Sequence, residues 1–193
     1  MKILLKTEKS ALKSYTLRKK YNKLILNCIT EVNNNLTENP PIYIYNKIAY
    51  QHRSVGFFSN KSIGYYYSGK LAKSKPLTPN LEILLNMINK KLKANFNGIL
   101  VNKYKDGSDY ISAHSDDEKN LDDIGVVVIS YGAIRKFRIR DKKTKVIQLD
   151  VPTEPNRILH MEGDFQKEFI HEIPIQKRIK EERYSFTFRK HQK

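Results

Sequence analysis

The chain has one cysteine, Cys28, and no tryptophan in 193 residues. A single thiol excludes an intrachain disulfide framework and a Cys-based zinc finger. It fits a reducing, intracellular setting, nuclear or cytoplasmic alike. Long apolar runs are missing too. The best are short, such as GVVVIS at 125–130, so no segment has the length of a membrane span. The start, MKILLKTEKS, has too little apolar length for a secretory signal. A soluble protein is expected. No internal repeat and no Gly/Pro/Ser-rich linker divides the chain, whose length suits one domain with a full core.

Acid is scarce. Asp and Glu number 20 against 36 Lys and Arg, a formal net charge of +16 with a pI near 9.8. That balance points to a polyanionic partner, nucleic acid first and an acidic membrane surface second. Hydrophobic content of 39% and aromatic content of 10% argue for a folded chain.

What acid there is concentrates in one place. Segment 106–123 holds seven acids against one lysine, Lys119, a net −6 inside a strongly basic protein. Within it stands His114-Ser115-Asp116. Residues two apart on a strand share a face, so His114 and Asp116 can hold one metal ion together. A third ligand is needed. His171 in EFIHEIP is the best candidate, with His52, His160 and His191 as the others. Two imidazoles and a carboxylate suit non-haem Fe(II) and leave three positions open.

Residues 1–23 carry eight basic residues and one acid, a loose arm or a solvated helix face. From Thr16 to about Val32, apolar residues recur at helical spacing. IYIYNKIAY (42–50) alternates like a strand. RSVGFFSNKSIGYYYSG (53–69) carries two aromatic clusters around turn residues and suggests a hairpin. LTPNLEILLNMINKKLKANF is a second helix, with Thr78 as cap, Pro79 in the first turn, and Leu81, Leu84, Leu85, Ile88 and Leu92 as its buried stripe. After Gly98 short strands follow one another to RYSFTFRK (183–190). The expected class is α+β with a C-terminal sandwich or barrel.

The last strand has two characters. Period two puts Tyr184, Phe186 and Phe188 on a core face and Arg183, Ser185, Thr187 and Arg189 on the other. Buried arginines need anionic partners. A small dicarboxylate supplies them, because guanidinium pairs bidentately with carboxylate.

Four stretches, in order, carry a family resemblance: NKYKDGSDYISAHSDDE (102–118), ISYGAIRKFRIR (129–140), LHMEGDFQKEFIHEIP (159–174) and RYSFTFRK with its R-x5-R. Together they resemble the AlkB family of Fe(II)- and 2-oxoglutarate-dependent dioxygenases, and look closest to its animal nucleic-acid repair members. A weaker match, RSVGFFSNKSIGYYYSG, resembles the substrate-lid region, and ISYGAIRKFRIR resembles a core hairpin. The resemblance implies a double-stranded β-helix (jelly-roll) core with two N-terminal supporting helices and a lid hairpin. A single domain over 1–193 then divides into a basic N-terminal arm and helix (1–41), lid and supporting helix (42–95), and jelly-roll core (96–190).

The resemblance also implies roles. His114, Asp116 and His171 become Fe(II) ligands. Arg183, Thr187, Arg189, Asn102 and Tyr104 become contacts to 2-oxoglutarate, with O2 as the further cosubstrate. Ser185 departs from relatives that carry asparagine there. Tyr65 and Tyr67 match base-stacking lid positions, Asp117 and Glu118 match base-contacting ones, and Arg53 is a contact near the lid. Asp122 and Asp123 have no such match and read as a solvated turn. Lys136, Arg138, Arg140, Lys142, Lys143 and Lys145, with the N-terminal arm, are candidate phosphate contacts. The implied activity is oxidative demethylation of 1-methyladenine and 3-methylcytosine in DNA, with RNA as a further substrate. No partner-binding motif is evident, so a monomer is expected. The alternatives are a catalytically silent nucleic-acid-binding module, and an oxygenase acting on protein or on regulatory RNA methylation.

Overall fold

The structure, a computed structural model, describes residues 1–45, 47–67, 70–116 and 124–190, the side chains of 65–67 and 70 excepted. It is mostly β-sheet with few helices. In chain order come β1 (Lys2–Lys6), β2 (Ser10–Thr16), α1 (Asn22–Asn33), β3 (Thr37–Glu38), β4 (Pro41–Ile44), β5 (Lys47–Tyr50), β6 (Ser54–Phe58), β7 (Gly64–Tyr67), β8 (Lys70–Lys73) and α2 (Pro79–Leu92). The second half runs β9 (Gly98–Tyr104), β10 (Ile111–His114), β11 (Val126–Gly132), β12 (Lys136–Asp141), β13 (Ile147–Pro152), β14 (Arg157–Gly163), α3 (Phe165–Glu168), β15 (Phe169–Ile173) and β16 (Arg183–Arg189).

Two sheets form the core. The larger has eight strands in the order β1-β2-β14-β11-β16-β9-β6-β3, and the smaller four in the order β10-β15-β12-β13. An apolar layer joins them, with Val126 and Val128 of β11, Tyr104 of β9, Phe137 and Ile139 of β12 and Ile173 of β15. This is the two-sheet arrangement of a jelly roll. A second apolar layer lies on the other side of the large sheet. There Ile25, Cys28 and Val32 of α1 and Leu81, Leu84, Leu85 and Ile88 of α2 pack on Tyr184, Phe186 and Phe188 of β16.

The sequence of α2 accounts for its limits. The Thr78 hydroxyl accepts from the Leu81 N–H at 3.4 Å, Pro79 needs no partner for a missing N–H, and Lys93 ends the helix in the left-handed region with φ 53. Glu31 of α1 adds a second cap. Its carboxylate accepts from the Thr78 hydroxyl and from the Asn80 amide N–H at 3.1 Å.

Several expectations are corrected. While Lys19, Lys20 and Lys23 of the basic N-terminal segment do lie in helical turns, the stretch Lys2–Thr16 is neither a loose arm nor a helix face. It is the hairpin β1–β2, which extends the large sheet by pairing β2 with β14 over seven residues. The helix therefore starts at Asn22, not Thr16. Leu17 keeps its place in the apolar layer through its backbone N–H, which donates to the Asn156 carbonyl at 2.9 Å. IYIYNKIAY is two strands, β4 and β5, paired across a turn where Tyr45 has φ 47. The two aromatic clusters of 53–69 do not pair with each other. β6 is enclosed between β9 and β3, and β7 pairs with β8. ISYGAIRKFRIR is not a hairpin either, because β11 and β12 lie in different sheets. The chain changes sheet at Gly132, where φ is 91 and a Cβ would stand 2.3 Å from the Glu182 carbonyl oxygen. Only glycine fits there.

Candidate active site

β10 and β15 are neighbours in the small sheet, and their register sets His114 opposite His171. The two rings lie 4.4 Å apart. Asp116 stands two residues beyond the end of β10. The Nε2 atoms of His114 and His171 each approach one oxygen of Asp116 at 3.7 Å. The three candidate ligand atoms all lie within 4.8 Å of one another.

Tautomer and charge are set locally. His114 Nδ1 faces the Ser112 carbonyl at 2.8 Å, so the ring proton sits on Nδ1 and Nε2 keeps its lone pair. Phe137 stacks on His171 at 5.1 Å. Burial pushes His171 down to about 3, with the His114 charge adding to the effect, and burial also holds His114 below the usual imidazole range. Burial pushes Asp116 up, but the Arg189 guanidinium and the two imidazoles outweigh it and bring it down to about 2. At neutral pH the group is two neutral imidazoles and one carboxylate, the ligand form a divalent cation requires.

The polar face of β16 continues the site. Arg53, Asn102, Tyr104, Arg183, Ser185, Thr187 and Arg189 share one solvent-open cleft with His114, Asp116 and His171. Arg189 donates from Nη2 to Asp116 Oδ1 at 2.7 Å. Arg183 is buried and meets only neutral acceptors: Nη2 donates to the Ser130 hydroxyl at 2.9 Å and Nε to Thr153 Oγ1 at 3.2 Å. Its Nη1 has no hydrogen-bond partner among the described residues. The guanidinium lies over the Tyr104 ring at 5.0 Å, and burial holds its pKa below the ordinary value. A buried cation without a carboxylate is costly until an anion arrives. Asn102 bridges the cleft wall. It accepts from Arg53 Nε at 2.8 Å and donates to Ser185 Oγ at 3.5 Å, so serine keeps a polar contact at that position.

Other residues build the site although no sequence signal placed them there. Gln166, at the start of β15's approach, accepts from the Asp116 N–H at 2.9 Å. Lys142, expected as a phosphate contact, instead donates to Ser115 Oγ at 2.8 Å and to the Gln166 carbonyl at 3.1 Å beside the site. Arg135, fully buried, donates to the carbonyls of Asp106, Asp109 and Pro174 at 2.8 Å each. It thereby ties the segment leading to His114 to the segment leaving His171.

Other expected residues fall elsewhere. His52 is exposed and stacks on Tyr110, and His160 is buried beside Glu162 and the Ile124 carbonyl, so neither joins His114. Arg138 and Arg140 are occupied by Asp150 and Glu172, and Lys136 lies 3.5 Å from Asp150. That strand face is an ion-pair network, not a free phosphate surface. Asp117, Glu118, Asp122, Asp123 and His191 lie outside the described residues, as do the side chains of Tyr65 and Tyr67 on β7.

Known proteins decide the family. The family model described as 2OG-Fe(II) oxygenase superfamily matches residues 17–189. The chain belongs to the 2OG-Fe(II) oxygenase superfamily. Within it the likeness is to AlkB-type members. The human protein named DNA oxidative demethylase ALKBH2 is 30% identical over 146 residues, 72% of this chain and 56% of that protein. The bovine alpha-ketoglutarate-dependent dioxygenase alkB homolog 3 is 32% identical over 120 residues, 58% of this chain and 42% of that protein. The chain thus spans about half the length of the curated relatives it matches. A solved structure titled "The structure of OsALKBH1" superposes with a TM-score of 0.57 over 92% of this chain and 97% of that one, at 15% identity, which supports the fold alone.

Membership implies Fe(II), 2-oxoglutarate and O2. The residues fit them. Three nitrogen and oxygen donors converge within ion-binding reach, and a buried arginine with an unsatisfied N–H lines the same cleft. No helix among the described residues is long and apolar enough to cross a membrane.

Proposed function

We propose that the chain removes N-methyl groups from nucleobases in DNA, 1-methyladenine and 3-methylcytosine first, and so reverses alkylation damage directly, acting as a monomer. The observation that carries this reading is the shared cleft. A His-Asp-His group and a buried arginine face stand together in a chain 30% identical to a protein named DNA oxidative demethylase. The net charge of +16 favours a nucleic-acid substrate over a protein one.

His114, Asp116 and His171 would hold Fe(II) on one face and leave the other open. When bound, the iron, O2 and 2-oxoglutarate supply the oxidation of the methyl carbon, which then leaves the base nitrogen as formaldehyde. The chain's own task is placement. Arg183, steadied by Ser130 and Thr153, would pair with the distal carboxylate of 2-oxoglutarate. Arg189 offsets the charge of Asp116 and keeps the carboxylate in its ligand form. Asn102, Tyr104 and Thr187 would complete the cosubstrate wall.

A methyl on the Watson–Crick edge cannot reach the cleft inside a duplex, so the base must be extruded or single-stranded. Extrusion costs a few kcal/mol, less for a base whose pairing is blocked. Tyr65 and Tyr67 are proposed to stack on the extruded base, Asp117 and Glu118 to accept from its exocyclic amine, and Arg53 to line its entry.

The test is demethylation read by mass spectrometry. Oligonucleotides with one 1-methyladenine or 3-methylcytosine, single- and double-stranded, DNA and RNA, meet the protein with Fe(II), 2-oxoglutarate and ascorbate. Loss of one methyl that requires both cofactors and disappears in His114→Ala supports the reading. Oligonucleotide binding without methyl loss would replace it with a silent binding module, and succinate formation without methyl loss with another substrate.

A further inference from the structure

The helical layer is polarised. Glu31 at the end of α1 caps the start of α2 through Thr78 and Asn80. At the other end Lys91 of α2 lies over the Tyr15 ring, just upstream of the turn that leads into α1. The two contacts fix an antiparallel pair. Its far end therefore collects Arg18, Lys19 and Lys20 from the turn that leads into α1 and Lys23 from its first turn, with Lys90 and Lys91 from the end of α2 and Lys93 just past it. All seven are exposed, and none makes an ion pair among the described residues. Glu31 and Glu82 sit at the opposite end of the pair.

Folding stability does not explain the cluster. Lys90 and Lys91 suit the negative end of α2. Lys23 stands in the first turn of α1, its positive end, which has no acid, and Arg18, Lys19 and Lys20 lie in the turn just before it. Cations there oppose the helix dipole by about 0.3–1 kcal/mol each when exposed. Seven exposed cations gathered at one end of the helix pair make a surface suited to an anion.

Its position says more. The helices cover the Tyr184, Phe186 and Phe188 face of β16, while the cleft lies on the Arg183, Ser185, Thr187 and Arg189 face. The helix pair and the cleft thus lie on opposite faces of β16. We infer that the paired helix ends form a second nucleic-acid contact, which binds backbone phosphates flanking the segment in the cleft and carries length-dependent, sequence-independent affinity. This rests on the nucleic-acid reading above.

The test compares the full chain with Arg18→Gln/Lys19→Gln/Lys20→Gln/Lys23→Gln. A control variant, Lys47→Gln/Lys177→Gln/Arg178→Gln/Lys180→Gln, loses the same charge elsewhere. Fluorescence anisotropy follows binding of an unmodified duplex of about 30 base pairs across a salt series, where each phosphate contact contributes roughly 0.9 to the slope of log K on log salt. The helix-end variant should lose about 3 from that slope, and the control less than about 1. Its melting temperature should hold or rise, since repulsion at α1 is relieved, and this separates lost binding from lost folding. Demethylation of a methylated oligonucleotide of roughly six nucleotides should be unchanged, while KM for the long substrate rises at least tenfold.

An equal loss of slope in both variants, or no loss in either, overturns the inference while demethylation by the parent protein leaves the activity standing. Binding of the helix ends to anionic lipid vesicles but not to duplex also overturns it. If the parent protein demethylates no substrate and binds no oligonucleotide, the underlying reading fails as well.

Discussion

Asp116 is buried and still ionised, which few carboxylates manage. Arg189 supplies the compensating charge and Gln166 fixes the backbone from which the side chain springs. Gln166 touches none of the donor atoms, so it acts by positioning. Gln166→Leu should keep the fold and weaken Mn(II) binding by about 10–100-fold, the usual effect of losing a group that orients a ligand. Titration calorimetry with Mn(II) measures this without turnover, and Gln166→Glu, which keeps the acceptor, should recover much of the loss. Cys28 is the contrasting case. Burial pushes its thiol up to about 12, with the charge of Glu31 adding. A thiolate is the reactive form, so Cys28 should resist a thiol-specific reagent at neutral pH and react fully in denaturant. Rapid labelling of the native protein would contradict the packing of α1.

At the scale of elements, the joint between α1 and α2 depends on one carboxylate. Burial pushes Glu31 up, but hydrogen bonds from Thr78 and Asn80 outweigh it, and its pKa lies below the ordinary 4.5. A depressed carboxylate adds stability that is fully present above its unfolded value and is lost as pH falls through its folded value. Glu31→Gln should therefore lower the melting temperature at neutral pH, and the gap from the parent protein should close as pH drops below 4.5. A gap independent of pH would assign the effect to shape and not to charge. The same joint makes the helix pair antiparallel, which is what gathers the seven cations at one end.

At the scale of the whole molecule, the cleft stores an electrostatic cost. Arg183 is buried with neutral partners, so a dicarboxylate should stabilise the folded chain. A ligand at 100 times its dissociation constant adds about 2.7 kcal/mol. With Mn(II) present, 2-oxoglutarate should raise the melting temperature by several degrees, and Arg183→Met should abolish the rise while leaving Mn(II) binding intact. An undiminished rise in Arg183→Met would place the dicarboxylate elsewhere.

Period and spacing settled much of this in advance. The alternation of RYSFTFR separated a core face from a polar face, and the packing of Tyr184, Phe186 and Phe188 under the helices follows it. The buried stripe and cap of α2 were equally legible, because both depend on residues a few positions apart. His114, Asp116 and the two arginines drew attention by type and spacing alone. Tertiary structure decided everything that depends on partners distant in the chain. Whether SVGFF and GYYY pair with each other is a choice among sheet neighbours, which local propensity does not make. Lys2–Thr16, the first part of the N-terminal basic run, became a hairpin because β14 offered it an edge. Gln166, Ser130, Thr153 and Arg135 carry no local mark, since a buried polar side chain reads like a solvated one until its acceptor is placed. Likewise the helix-end cations lie some seventy residues apart in sequence, and only the antiparallel packing of α1 on α2 makes them one surface.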